Sequence, residues 1–104
     1  MVIDSGIVTK IKTSIRISHN KLDEDVRDTI AACLTDLHVC GIMSDKLDAS
    51  HELDPLILNA VKAYCKADYT DDPVKAARYQ EGYDNIKASL MMAEGYGWEV
   101  VADE

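Results

Sequence analysis

A chain of 104 residues with 47% apolar side chains is long enough for one modest core and too apolar to stay disordered. Its net charge of −8 argues against a duplex-DNA binder, which draws affinity from neutralising phosphates with a basic patch. No run of about 18 apolar residues occurs, so no membrane-spanning helix is expected. The opening Met1-Val2-Ile3-Asp4 has no basic stretch followed by an apolar core, so no secretory leader is expected either.

The first segment carries two patterns. Ile7, Val8, Ile11 and Ile15 fall on one face of a helix. Ile7, Thr9, Ile11, Thr13, Ile15 and Ile17 also alternate as a strand would, in β-branched residues. No comparable second strand follows, and a lone strand cannot satisfy its hydrogen-bond ladder, so a helix over about 6–16 is the reading adopted. Lys10, Lys12 and Arg16 are the chain's one basic bias, and Lys12 and Arg16 are spaced to share a helix face.

A second helix, over 21–40, takes Asn20 as its expected N-cap, with Asp23, Glu24 and Asp25 favourably placed at its dipole. Leu22, Val26, Ile30, Cys33, Leu34 and Leu37 form its apolar stripe, and Gly41 is the expected left-handed terminator. Residues 42–53 read as a polar loop with Ile42 and Met43 at its start. Asp54 then caps and Pro55 opens a third helix over 54–68, with Leu53 spaced to staple against Leu58. Its core face is Ile57, Ala60, Val61, Tyr64 and Cys65.

Pro73 opens the last helix, over 73–94, in the same way. Ala76, Tyr79, Tyr83, Ile86 and Leu90 form its stripe. Gly82 inside it suggests a close neighbour, because glycine there costs about 1 kcal/mol against alanine. Gly95 is the expected C-cap, and Trp98, Val100 and Val101 make the following tail apolar enough to dock, either on its own subunit or on a neighbour. The expected architecture is all-α, a small bundle of about four helices in a single domain over 1–104, with its core in 7–94 and an extended tail in 95–104.

No constellation of chemistry emerges. Cys33 and Cys40 lie about 10 Å apart along one helix, beyond disulfide reach, and the odd cysteine count favours reduced, core-filling thiols, Cys65 included. His19, His38 and His51 lack metal-ligand spacing. Asp68, Asp71 and Asp72 lack the alternating calcium-loop pattern and read as turn and cap residues. Tyr64, Tyr69, Tyr79 and Tyr83 read as core residues whose hydroxyls reach the rim, rather than as a platform for bases. Hence no catalytic, cofactor-binding or metal-ligating residue is expected.

The order and spacing of Ile15-Arg16-Ile17, Leu22 through Leu37, Asp54-Pro55-Leu56-Ile57 and Tyr64-Cys65-Lys66-Ala67 resemble the small head–tail connector, or adaptor, proteins of tailed phages and prophages. The resemblance covers Ile7 to Leu90. It implies an all-α, non-catalytic virion protein that forms a ring of about a dozen copies. That ring would sit between the portal protein and a tail-side completion protein and act in head completion and DNA packaging. It implies a lumen through which DNA passes without sequence-specific binding, no membrane, and assembly in the host bacterial cytoplasm. An acidic wall would not grip the passing DNA. Lys10, Lys12, Arg16, Trp98, Val100 and Val101 are the candidate contacts with other subunits or partners. The rival readings are a helical antitoxin- or repressor-like regulator, which lacks its basic recognition helix, and a small enzyme, which lacks its site.

Overall fold

The computed structural model describes residues 2–93 and 96. It contains α1 (Ser5–Ser14), α2 (Asp23–Val39), a 3-10 turn (Ser44–Leu47), α3 (Pro55–Tyr69) and α4 (Pro73–Met92), with no strand among the described residues. The expected all-α bundle is what the chain forms.

The ambiguous first segment is helical because a helix satisfies its own backbone. Asp4 caps it by accepting from the Gly6 amide at 2.9 Å. Thr9 and Thr13, which looked like strand residues, donate their hydroxyls to the carbonyls of Ser5 and Thr9 four positions back. Ile7, Val8 and Ile11 face inward and are buried. The helix ends two residues earlier than expected. Ile15 is the C-cap, and Arg16 follows in the left-handed region at φ 63°. Two bonds close a Schellman motif there, from Arg16 N–H to the Thr13 carbonyl and from Ile17 N–H to the Lys12 carbonyl.

The end of α2 repeats that motif with the expected residue. Gly41 takes φ 105°, its N–H bonds to the His38 carbonyl, and Ile42 N–H bonds to the Leu37 carbonyl. The start of α2 corrects the sequence reading. Leu22, not Asn20, is the N-cap, and no side chain caps the helix. Asn20 Oδ1 instead accepts from Lys12 Nζ at 2.9 Å, which ties the α1–α2 connection to α1. Asp23, Glu24 and Asp25 fill the first turn, where their charge complements the helix dipole.

The 42–53 connection is not the polar loop expected. It contains the 3-10 turn and buries Ile42, Leu47, Ala49 and Leu53. Alternating polar residues hid this, because a short turn needs only one inward side chain per three residues. Asp4 N–H bonds to the Ala49 carbonyl at 2.7 Å, so the connection also fastens the start of α1.

α3 is the central helix. It packs most extensively on α4 and also contacts α1 and α2. Asp54 caps it, accepting from Leu56 N–H at 2.9 Å, with Pro55 at the first position as the sequence indicates. Ile57, Ala60, Val61 and Cys65 are buried against Val26, Ile30, Cys33, Leu34 and Leu37 of α2. Tyr64, expected with them, is half-buried.

α4 departs most from expectation. Asp72 caps it and Pro73 opens it, but only Tyr83 and Leu90 of its 20 residues are buried. Ala76, Tyr79 and Ile86 are half-buried. Among the described residues, a Cβ built on Gly82 would meet nothing within 4 Å, so none of them explains that glycine. The helix stops at Met92 with Ala93 as C-cap; Gly95 lies outside the described residues.

Candidate interaction surface

The basic residues of the first segment do not form one patch. Lys12 is spent inside the subunit. Its ammonium pairs with Asp23 Oδ1 at 2.8 Å, and its side chain is 11% exposed. That carboxylate oxygen has no hydrogen-bond partner, so the Lys12 charge is what compensates it. Lys10 is exposed and lies 3.8 Å from Glu52, a loose surface pair of little energetic weight. Arg16, beyond the helix end, is exposed and lines a concavity with Lys12, Thr9 and Thr13. Trp98, Val100 and Val101 lie outside the described residues.

Tyr96 shows how the chain returns after α4. Its carbonyl accepts from Met43 N–H at 3.1 Å and its hydroxyl donates to Asp54 Oδ1 at 2.8 Å. Lys46 Nζ sits 5.6 Å from its ring centroid. The Tyr96 hydroxyl is the main reason the Asp54 carboxyl is held below its ordinary range. One carboxylate thus caps α3 and anchors Tyr96. Tyr96 docks on its own subunit.

A polar cluster joins α4 to α2. Tyr83 is buried, and its hydroxyl donates to Asp36 Oδ2 at 2.6 Å. Lys87 Nζ reaches the same oxygen at 3.2 Å and lies 5.2 Å from the Tyr83 ring centroid. Burial and the bond to Asp36 push the Tyr83 phenol far above its ordinary value. Burial alone would lower Lys87, but the Asp36 carboxylate outweighs it and the ammonium is held above its usual range. Tyr64 meets the Tyr83 ring edge-on at 5.1 Å. The expectation that each tyrosine hydroxyl reaches the rim therefore fails for Tyr83. Cys33 and Cys65 are buried nearby as free thiols, each pushed up to about 12 chiefly by burial, whereas Cys40 is half-buried. These thiols are the core fillers the sequence suggested. Neutral and protonated, they are poor nucleophiles. Among the described residues no group of three or more His, Cys, Asp or Glu side chains is gathered as a metal ion would require.

One concave feature was missed by sequence reasoning. A cleft of about 270 Å³ between the end of α1, the end of α3 and the start of α4 is lined by Arg16, Lys66, Tyr69, Thr70, Lys75 and Tyr79. Three cations meet there, Lys66 and Lys75 from either side of the α3–α4 turn and Arg16 from the distant end of α1. Lys66 Nζ lies 5.7 Å from the Tyr79 ring centroid. Burial raises the Tyr69 phenol, the Thr29 hydroxyl acts against it, and the nearby Asp25 and Asp68 carboxylates raise it further. One sequence signal was available: Lys75 sits in the first turn of α4, where the helix dipole favours a carboxylate.

The matches to known proteins agree with this picture of a helical subunit whose distinctive features are surfaces rather than a reaction centre. A family model described as "Phage connector protein" matches residues 7–97, from α1 through α4 and past Tyr96. The chain belongs to the phage connector family. No curated protein and no solved structure matches it. Membership makes this connector a structural phage protein, a virion component that associates with other virion proteins. No helix of the connector, among the described residues, is long and apolar enough to cross a membrane.

Proposed function

We propose that this connector is a head–tail joining subunit of a tailed phage or prophage. It forms one helical domain and assembles head-to-tail into a closed ring of about a dozen copies. The ring docks on the portal protein on one side and on a tail-side completion protein on the other, and acts in head completion after DNA packaging. It forms in the host bacterial cytoplasm and ends at the head–tail junction of the virion. DNA passes through its lumen without sequence-specific contact, which a chain of charge −8 suits. The observation that carries this reading is the family match across all four helices.

The exposed Lys10 and Arg16, and the tail residues Trp98, Val100 and Val101, are proposed contacts with other subunits or partners. Lys12, already paired with Asp23, is proposed to hold α1 in place for those contacts rather than to make one. Electron microscopy and sedimentation of the purified protein, alone and with the portal of the same phage, test the function. Closed rings, free or seated on the portal, are the expected result. A protein that stays monomeric at high concentration and ignores the portal would overturn the proposal.

A further inference from the structure

Two residues of the basic cleft occupy positions that the fold alone would fill differently. Arg16 holds φ 63° at the Schellman position of α1, where a side chain is strained and glycine is favoured. Lys75 sits in the first turn of α4, bonded through its N–H to the Asp72 cap, where a carboxylate would be stabilised and an ammonium is opposed. Departures from local preference concentrate where a residue serves something besides the fold. Here two of them meet in one cleft.

The charges in the cleft also make no direct ion pair: among the described residues, Arg16, Lys66 and Lys75 have no carboxylate within ion-pair distance, although the chain holds 19 acidic residues against 11 basic ones. Three cations left without a carboxylate in an acid-rich chain define an anion site. The surroundings limit which anion. Asp25 and Asp68 lie close enough to act on Tyr69, and the exposed Asp71 and Asp72 adjoin Thr70. A nucleic acid would bring a row of phosphates over those carboxylates. One or two carboxylate side chains bring less negative charge over those aspartates than a row of phosphates does.

We propose that the cleft receives carboxylates of a second copy of this chain, presented by the turn that carries Asp45 and Asp48. This rests on the ring reading and specifies its interface. Both aspartates are exposed and line a concavity with Val2, just before the start of α1, whereas the cleft lies at the ends of α1 and α3. The two surfaces therefore differ and sit apart on one subunit, as a head-to-tail contact requires. Asp45 has no cationic partner among the described residues. Asp48 is held in place by the Ser50 amide at 3.0 Å and the Ser50 hydroxyl at 2.6 Å, bonds that keep its carboxyl below the ordinary range. The bonds to Ser50 fix the Asp48 carboxylate within the turn before contact.

The structure supplies variants that remove the cleft's charge without harming the fold. Arg16→Gly places glycine at a left-handed position, and Lys75→Glu places an acid in a helix first turn. The double variant should keep its helicity and melting temperature and assemble about tenfold more weakly. Asp45→Lys should weaken assembly in the same direction, and combining Lys75→Glu with Asp45→Lys should restore it. Sedimentation across a concentration series, with and without the portal protein, reads the effect. Rings that form equally well from the double variant would overturn this interface and leave the ring reading intact. A wild-type protein that never assembles would overturn both. Binding of a labelled single-stranded oligonucleotide to wild type, lost in the double variant, would assign the cleft to nucleic acid and overturn the proposal in favour of that ligand.

Discussion

α2–α3 and α4 are held by different physics. α2 and α3 bury nine side chains between them, all apolar or thiol, and their interface is dry. α4 is the longest helix and buries two. It lies along α3 and reaches α2 through the Tyr83–Asp36–Lys87 cluster rather than through a second apolar stripe. The first pair is stabilised by burial, which is non-directional and grows with area. The outer helix depends in part on one hydrogen-bonded carboxylate, which is directional and fails if a single partner is lost. Helix length is therefore no guide to how firmly an element is fixed.

The largest expected difference between the two regions is in alkali. Below pH 9 the thiols of Cys33 and Cys65 are neutral in both folded and unfolded chains. Above it the unfolded chain loses those protons, while burial holds the folded thiols to about 12. Folding stability should be flat to about pH 9 and then fall as pH rises, by a few kcal/mol by pH 12. Tyr83, raised in the same direction, adds to the loss above pH 10. Urea unfolding at stepped pH measures this, and Cys33→Ala with Cys65→Ala should move the onset upward. A flat profile to pH 11 would mean the thiols are not in a dry interface.

Core truncation draws the contrast next. Ile30→Ala, in a fully buried α2 position, should cost about 2–5 kcal/mol. Ile86→Ala, in half-buried α4, should cost about 1 kcal/mol, although the sequence pattern gives both residues equal standing. Equal losses in urea denaturation would show that α4 is packed as tightly as α2.

Tyr83→Phe sharpens the comparison further. Removing the hydroxyl takes one of two donors from Asp36 and should cost about 1–2 kcal/mol. Amide hydrogen exchange should quicken along α4 while α2 and α3 stay protected. Quickening spread evenly over all helices would show that the cluster holds the whole bundle.

The smallest effect is a gain. Gly82→Ala has open space for its methyl group and should stabilise the isolated subunit by about 0.5–1 kcal/mol. A loss would reveal a neighbour at α4 within the subunit. A gain in stability joined to weaker assembly would place that neighbour in another copy.

By itself the sequence determined the helical class, three of the four helix starts and the α2–α3 core. Caps and stops are local chemistry. Asp54-Pro55, Asp72-Pro73 and Gly41 act through their own backbone bonds and need no distant partner. The stripes on α2 and α3 pack into one core, so periodicity reported their burial correctly except at Leu22 and Tyr64, which are half-buried. Periodicity failed where a stripe had too little to meet. Tyr79 and Ile86 keep core spacing, but α4 packs mainly on α3 and leaves them half-covered. It failed again in 42–53, where burial came from Ile42, Leu47 and Ala49 turning inward one at a time. Only the tertiary structure could spend Lys12 on Asp23 and Asn20, draw Tyr83 to Asp36, and gather Arg16, Lys66 and Lys75 around one cleft. Arg16 joins Lys66 and Lys75 through the packing of whole helices, and no local rule encodes which charges will be left without an ion pair.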